Sequence, residues 1–343
     1  MRPVVRNLSL ALLAVALLAL FLRQADLAGV WREIRGADPG LLLFAGVINF
    51  VNMGIRAVRW QGLLAPIGLV SFGNAFRTTI IGFGASFLLP ARAGEVIRPY
   101  LLARREGFSA TAAFATIVFE RVLDLVSVTL LLGVFVALFD PGMADRHRLL
   151  YNAVQVGGLV GAITAVGLLA AMFALAGRPE AAGQAASRLE HLLPERAARV
   201  VSRLALLFAR GLAVARDPVR LAAALAWSIL LWLCIAVGIW ATARAFTIDV
   251  PFPGVFLIVT LLVVGVAVPT PGGVGGFHEA FRLGATAFYG VPNDRAVGAA
   301  IVLHAVTFVP IVLAGLAFLV GEGFTLRGMS RLASTAKAEE RVG

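Results

Sequence analysis

The chain has 343 residues, of which 60% are hydrophobic and only 14% charged, and its mean hydropathy is +0.91. A soluble domain carries about a quarter charged residues, so a soluble globular or disordered chain is excluded and several membrane crossings are expected. The net charge of +11 comes from arginines set between apolar runs, not gathered on one polar face, which points to the anionic bilayer surface and not to nucleic acid.

Lys337 is the only lysine, so there is no Walker A phosphate loop and no self-powered ATP-driven transport. Cys234 stands alone, which excludes an intrachain disulfide and a cysteine metal cluster. The histidines, His147, His191, His278 and His304, show no metal-binding spacing. No cofactor is expected.

A spanning helix needs about 20 mostly apolar residues. Eight apolar segments emerge: Leu8 to Leu22, Leu41 to Val58, Phe72 to Leu89, Ala110 to Phe139, Tyr151 to Ala176, Leu221 to Ala243, Phe252 to Val268, and Ala296 to Val320. The first is led by Arg2 and Arg6 and followed by Arg23, Gln24 and Asp26 without a small-residue cleavage site, so it reads as a retained anchor and not a signal peptide. The expected fold is all-α, a polytopic membrane helix bundle.

Arginine resists translocation and marks cytoplasmic loops. The stretch from Gly177 to Arg220 holds eight arginines and should be cytoplasmic, as should the N-terminus and the tail with Arg327, Arg331, Lys337 and Arg341. In contrast, Arg23 to Gly40 and Asp140 to Arg148 balance arginine against acid, as expected outside. Both chain ends are therefore expected on the cytoplasmic side of a cell inner membrane.

Two cytoplasmic segments must be separated by an even number of crossings. Five apolar segments precede Gly177, so one of them should not cross. Phe72 to Leu89 is the natural exception, because it runs into Pro90-Ala-Arg-Ala-Gly94-Glu95 and turns back toward Arg98, Arg104 and Arg105. Three segments lie between the basic linker and the tail, and there Phe252 to Val268 breaks at a Pro269-Thr-Pro271-Gly272-Gly273-Val-Gly275-Gly276 run. Two re-entrant helical hairpins entering from opposite faces are expected, near 72–98 and 252–290. The alternative is that both segments cross as ordinary helices.

An internal repeat points the same way. Phe72 and Phe76 match Phe252 and Phe256, Pro90 and Gly94 match Pro271 and Gly275, and Ala115, Ile117, Val118 and Val122 match Ala299, Ile301, Val302 and Val306. With the helices before the two hairpins running in opposite directions, the halves form an inverted repeat, a plan common among secondary transporters. The domain reading is a first transmembrane half over 1–176, a basic linker over 177–220, a second half over 221–326 and a tail over 327–343. From Ala185 to Val214 apolar residues recur at helical spacing among arginines, as in a basic amphipathic helix on the inner leaflet or a connector packed on the bundle.

Ionisable groups inside apolar helices are costly and each is a functional hypothesis. Arg92, Glu95 and Arg98 flank the first break, where arginine forks can take a phosphate in bidentate fashion or simply snorkel to water. Glu120, Arg121 and Asp124 lie mid-segment, with Glu120 and Asp124 on one helix face and Arg121 able to pair with Asp124; they form either a transport site or a structural salt bridge. His304 holds the position equivalent to Glu120 in the second half, as a proton carrier or an interior hydrogen bonder. Gly272, Gly273 and Gly275 before Glu279 permit close backbone approach at a helix start, a place for an anion or only a flexible connector. Arg56, Arg59 and Trp60, at the inner end of the second segment, either draw anionic headgroups inward or, the preferred reading, form a positive-inside flank with an interfacial aromatic.

Leu89-Pro-Ala-Arg-Ala-Gly-Glu-Val-Ile-Arg98, Glu120-Arg-Val-Leu-Asp124 and Pro269-Thr-Pro-Gly-Gly-Val-Gly275 with Glu279 together resemble the lysylphosphatidylglycerol synthase transmembrane region family. The resemblance implies a flippase-like lipid translocase lacking the soluble aminoacyltransferase domain of the full synthase, hence no enzyme. The expected cargo is an anionic phospholipid or a polyprenyl-phosphate-type lipid. The alternatives are a membrane-embedded headgroup enzyme using the carboxylates, or an accessory subunit of a lipid-modifying enzyme partner.

Overall fold

The computed structural model of the chain describes residues 3–23, 25–89, 92–138, 148–177, 180, 195–268 and 270–321. In chain order these form α1 (Pro3–Leu22), α2 (Leu27–Gly36), α3 (Pro39–Leu64), α4 (Phe72–Leu88), α5 (Gly94–Glu106), α6 (Ala110–Leu138), α7 (Arg148–Gly177), α8 (Glu195–Gly211), α9 (Pro218–Ala245), α10 (Gly254–Ala267), α11 (Gly276–Leu283) and α12 (Asn293–Gly321). A π-helical turn over Gly284–Phe288 extends α11. Among the described residues there is no strand. The helices α3, α9 and α12 and the Tyr151–Gly177 stretch of α7 are long and apolar enough to cross a membrane.

Local chemistry sets the helix starts. Asp38 and Asp217 each precede a proline and accept hydrogen bonds from the first free amides, Gly40 and Leu41 in α3 and Val219 and Arg220 in α9. The same cap thus opens the first long helix of each half. These two helices are antiparallel partners: Asn52 donates to the Leu231 carbonyl at 3.0 Å, and the Asp38 amide donates to the Ala245 carbonyl at 2.9 Å.

The remaining helices repeat the relationship. Helix α4 packs on α5 and on α12, whereas α10 packs on α11 and on α6. Both α6 and α12 are 29 residues long. Because α3 and α9 run in opposite directions, the hairpin that follows each begins at an opposite end of the bundle. The loops 65–71, 107–109 and 212–217 lie at one end, and 246–253 and 289–292 at the other.

Both breaks are tight antiparallel hairpins. In the first, Asn74 donates to Glu106 at 2.7 Å near the base, Gly82 lies against Arg98, and Gly94 lies against Ser86 and the Gly82 carbonyl. In the second, Tyr289 donates to the Gly254 carbonyl at 3.0 Å, and Gly265 lies against Gly276 and Ala280. At 1.5 Å per residue the 17 residues of α4 and the 14 of α10 measure about 25 and 21 Å, short of the roughly 30 Å hydrocarbon core. Their tips meet inside the bundle: Arg92 donates to the Val266 carbonyl at 3.0 Å, and Gly272 sits against the Phe87 carbonyl.

Some expectations change. The Arg23 to Gly40 stretch, expected outside, contains the amphipathic helix α2, capped by Asp26 and packed on α12. Helix α3 continues to Leu64, six residues past the expected Val58, which carries Arg56, Arg59 and Trp60 into the core. Of the expected Ala185 to Val214 helix, residues 185–194 lie outside the described residues, as do Asp140 to His147, Pro90, Pro269 and the tail over 327–343. The remainder is α8, followed by a short 3₁₀ turn over Ala213–Arg216. Helix α7 turns Val156, Leu159, Ile163, Val166 and Phe173 outward, an apolar face suited to acyl chains.

Candidate functional site

The hairpin tips, α3, α6, α9 and α12 enclose a cavity of about 750 Å³. The charged groups on its wall and just behind it come from the first half, Arg59 and Glu120 being the two that do not line it. Helix α3 brings Asn52, Arg56 and Arg59; the turn and α5 bring Arg92, Glu95 and Arg98; α6 brings Glu120, Arg121 and Asp124. The second half lines the opposite side with apolar residues such as Val259, Leu262, Val263 and Leu303. The two halves therefore line the cavity with different chemistry.

The charges form one connected network. Arg59 donates to Asp124 at 2.6 Å and to Ser228 at 2.9 Å, and lies 3.6 Å from Glu120. Arg98 donates to Glu120 at 2.7 Å, with its guanidinium carbon 3.7 Å from the centre of the Trp60 ring. Trp60 is itself tied to Thr116 at 2.9 Å, so the surface under Arg98 is rigid. Arg121 reaches Asp124 at 3.4 Å, Glu120 at 3.9 Å and Glu95 at 4.0 Å, and Arg92 reaches Glu95 at 3.7 Å. Trp232 of α9 donates to Asp124 at 3.2 Å and binds the second half to the network.

Arg59 and Glu120 are fully buried, and burying an ion costs several kcal/mol before its partner offsets any of it. Apolar side chains of similar volume would fill this space with less penalty. Ionisable residues inside a membrane bundle are costly, which marks this network as the candidate site.

Arg56 stands apart. It is only 6% exposed, its Nε donates to Asn52 at 3.0 Å, and its guanidinium carbon lies 4.7 Å from the centre of the Phe83 ring. Its Nη1 is buried without a hydrogen-bond partner, on the wall of the cavity.

The other expected residues are distributed unevenly. Arg92, Glu95, Arg98, Arg121, Asp124, Gly272 and Gly273 line the cavity, while Glu120 lies behind it and holds Arg98. Gly275 turns at φ 87° against Leu17 of α1, where a side chain has no room. Glu279 is drawn away by Arg282, which donates to it at 2.5 and 2.8 Å. His304 donates to the Gly272 carbonyl at 2.8 Å and stacks on Phe308 and His278.

Sequence reasoning set Arg56 and Arg59 aside as a membrane flank, and the structure buries both. The signal that could have found them is Leu63-Leu64 beyond Trp60: those two leucines extend the helix and move both arginines a turn inward from its end.

Apolar helices of membrane length around two hairpins that meet tip to tip define a multi-pass membrane protein. The chain belongs to the family described as lysylphosphatidylglycerol synthase TM region, which it matches over residues 7–315. It is 29% identical over 159 residues to glycosyltransferase AglD of Haloferax volcanii, covering 46% of this chain and 25% of that protein. It is 30% identical over 94 residues to a UPF0104 membrane protein of Methanothermobacter thermautotrophicus, covering 26% of this chain and 28% of that one. A UPF0104 membrane protein of Methanocaldococcus jannaschii is 29% identical over 90 residues, covering 25% and 27%. The chain thus spans about a quarter of the length of the curated relatives it matches.

Proposed function

We propose that the protein is a lipid translocase that carries an anionic headgroup through its basic cavity while the acyl chains remain in the bilayer. The observation that carries this reading is the cavity itself: four arginines and two carboxylates on its wall, with the Arg59 and Glu120 pair buried behind them, set where two short hairpins meet from opposite ends. Moving a headgroup through hydrocarbon is opposed by desolvation, and fixed guanidinium groups lower that barrier. The three carboxylates are each engaged by arginine, which supports transport over acid–base chemistry on the headgroup.

In this reading both hairpins are re-entrant, and alternating exposure of their tips is the transport motion. The end carrying Arg104, Arg105, Arg210, Arg216 and Arg220 faces the cytoplasm of a cell inner membrane, and α1 starts and α12 finishes there. The opposite end sets Arg32, Arg35, Arg244 and Arg295 against Asp26, Glu33, Asp38, Asp249 and Asp294, as the outer face requires.

The test is reconstitution of the purified chain into liposomes containing a tail-labelled anionic lipid, with a membrane-impermeant quencher added outside. Quenching of the inner-leaflet pool, with lipid mass unchanged by mass spectrometry, is expected. Protection equal to that in protein-free vesicles overturns translocation, and a new lipid mass replaces it with catalysis.

A further inference from the structure

The ion pairs of the cavity leave a residue of charge with a definite location. Arg59, Arg98 and Arg92 each have a nearest carboxylate of their own, in Asp124, Glu120 and Glu95. Arg121 shares those same three carboxylates at 3.4 to 4.0 Å, and among the described residues no ion pair is formed by Arg56. Two guanidinium groups on the cavity wall thus exceed the local negative charge.

Arg56 is also held in one plane. Its Nε is fixed by Asn52, whose own amide is tied to the Leu231 carbonyl, and Phe83 lies against its face. That leaves Nη1 unpartnered at the cavity wall. A planar fork prepared on one edge and empty on the other suits a tetrahedral oxyanion. Meanwhile the excess of two guanidinium groups over carboxylates disfavours an ammonium group in the same cavity.

We propose that Arg56 and Arg121 form a seat for a dianionic phosphate, so that the cargo is a lipid ending in a phosphomonoester or diphosphate and not a phosphodiester or an aminoacylated headgroup. The inference rests on the translocase reading and names its substrate class. A terminal phosphate loses its second proton near pH 6, so binding strengthens as pH rises through that value, whereas a diester keeps one charge throughout.

The experiment measures tryptophan fluorescence of the purified full chain in nanodiscs, since Trp60 and Trp232 border the network. The ligands are short-chain phosphatidic acid, phosphatidylglycerol, lysylphosphatidylglycerol and inorganic phosphate. Phosphatidic acid is expected to bind at least about tenfold tighter than either phosphodiester lipid, equivalent to about 1.4 kcal/mol. That preference should grow between pH 5 and 8, and inorganic phosphate should bind more weakly because it lacks tails. Arg56→Gln should erase the preference and its pH dependence. Arg56→Lys, which keeps the charge and loses the fork, should restore only part of it.

Equal affinity for phosphatidylglycerol overturns the inference while translocation can still stand in the liposome assay. Equal affinity for inorganic phosphate overturns the lipid as the source of the phosphate. Unchanged selectivity in a folded Arg56→Gln protein overturns the role of Arg56. The ligand comparison on the unaltered chain needs no variant, so misfolding of a variant leaves the inference testable.

Discussion

Arg98 and Glu120 meet at 2.7 Å across two helices, and both are buried to within 3% of full exclusion. The pair joins the returning leg of the first hairpin to the long helix beside it. Glu120→Gln leaves Arg98 and Arg59 partly unpaired in a dry interior, at an expected cost of about 3–5 kcal/mol. Arg98→Met with Glu120→Leu removes both charges and should cost less than the sum of the two single changes. Thermal unfolding in detergent, followed by tryptophan fluorescence, measures both.

The hairpins depend on close backbone approach at two equivalent places. A Cβ at Gly94 meets the Gly82 carbonyl and Ser86, and one at Gly265 meets Gly276 and Ala280. Gly94→Ala and Gly265→Ala should each destabilise the protein by about 1–3 kcal/mol through overpacking. Gly73→Ala, at the start of α4 with open space around it, is the control and should leave unfolding unchanged.

Arg92 is half exposed, sits at φ 50° and bonds the Val266 carbonyl of the other hairpin. Arg92→Gly relieves the left-handed backbone and breaks that bond. Overall stability should move by less than about 1 kcal/mol, because an exposed side chain carries little net energy. Hydrogen exchange at the amides of 270–276 should speed up, since the contact between the tips is loosened.

The two ends of the bundle should label from opposite sides of the membrane. Arg104 and Asp249 are exposed at opposite ends, and the one native cysteine, Cys234, is buried. In a Cys234→Ala background, Arg104→Cys should react with an impermeant maleimide only from the cytoplasmic side and Asp249→Cys only from outside. Labelling of both from one side would sink the inverted arrangement.

The hairpins were legible because their cause is local. A proline and glycines interrupt apolar runs at Pro90–Gly94 and Pro269–Gly276, and those residues mark a helix break by themselves. The Glu120–Arg121–Asp124 group was legible for the same reason, since charge stands out within an apolar helix. The roles of Arg56 and Arg59 were not, because arginine beside a tryptophan near the end of an apolar run has the same local pattern whether it faces headgroups or a buried carboxylate.

Sequence alone determined the helical class, the membrane setting, the places where helices break and the family, since hydropathy and the conformational limits of proline and glycine act residue by residue. Tertiary structure decided which charges meet. Arg59 and Asp124 are 65 residues apart, and only the packing of α3 against α6 and α9 brings them to 2.6 Å. The same packing turns Glu279 to Arg282, gives His304 to the glycine turn and leaves Arg56 facing the cavity. A pairing energy that falls off within a few ångströms is settled by the fold and not by the order of residues along the chain.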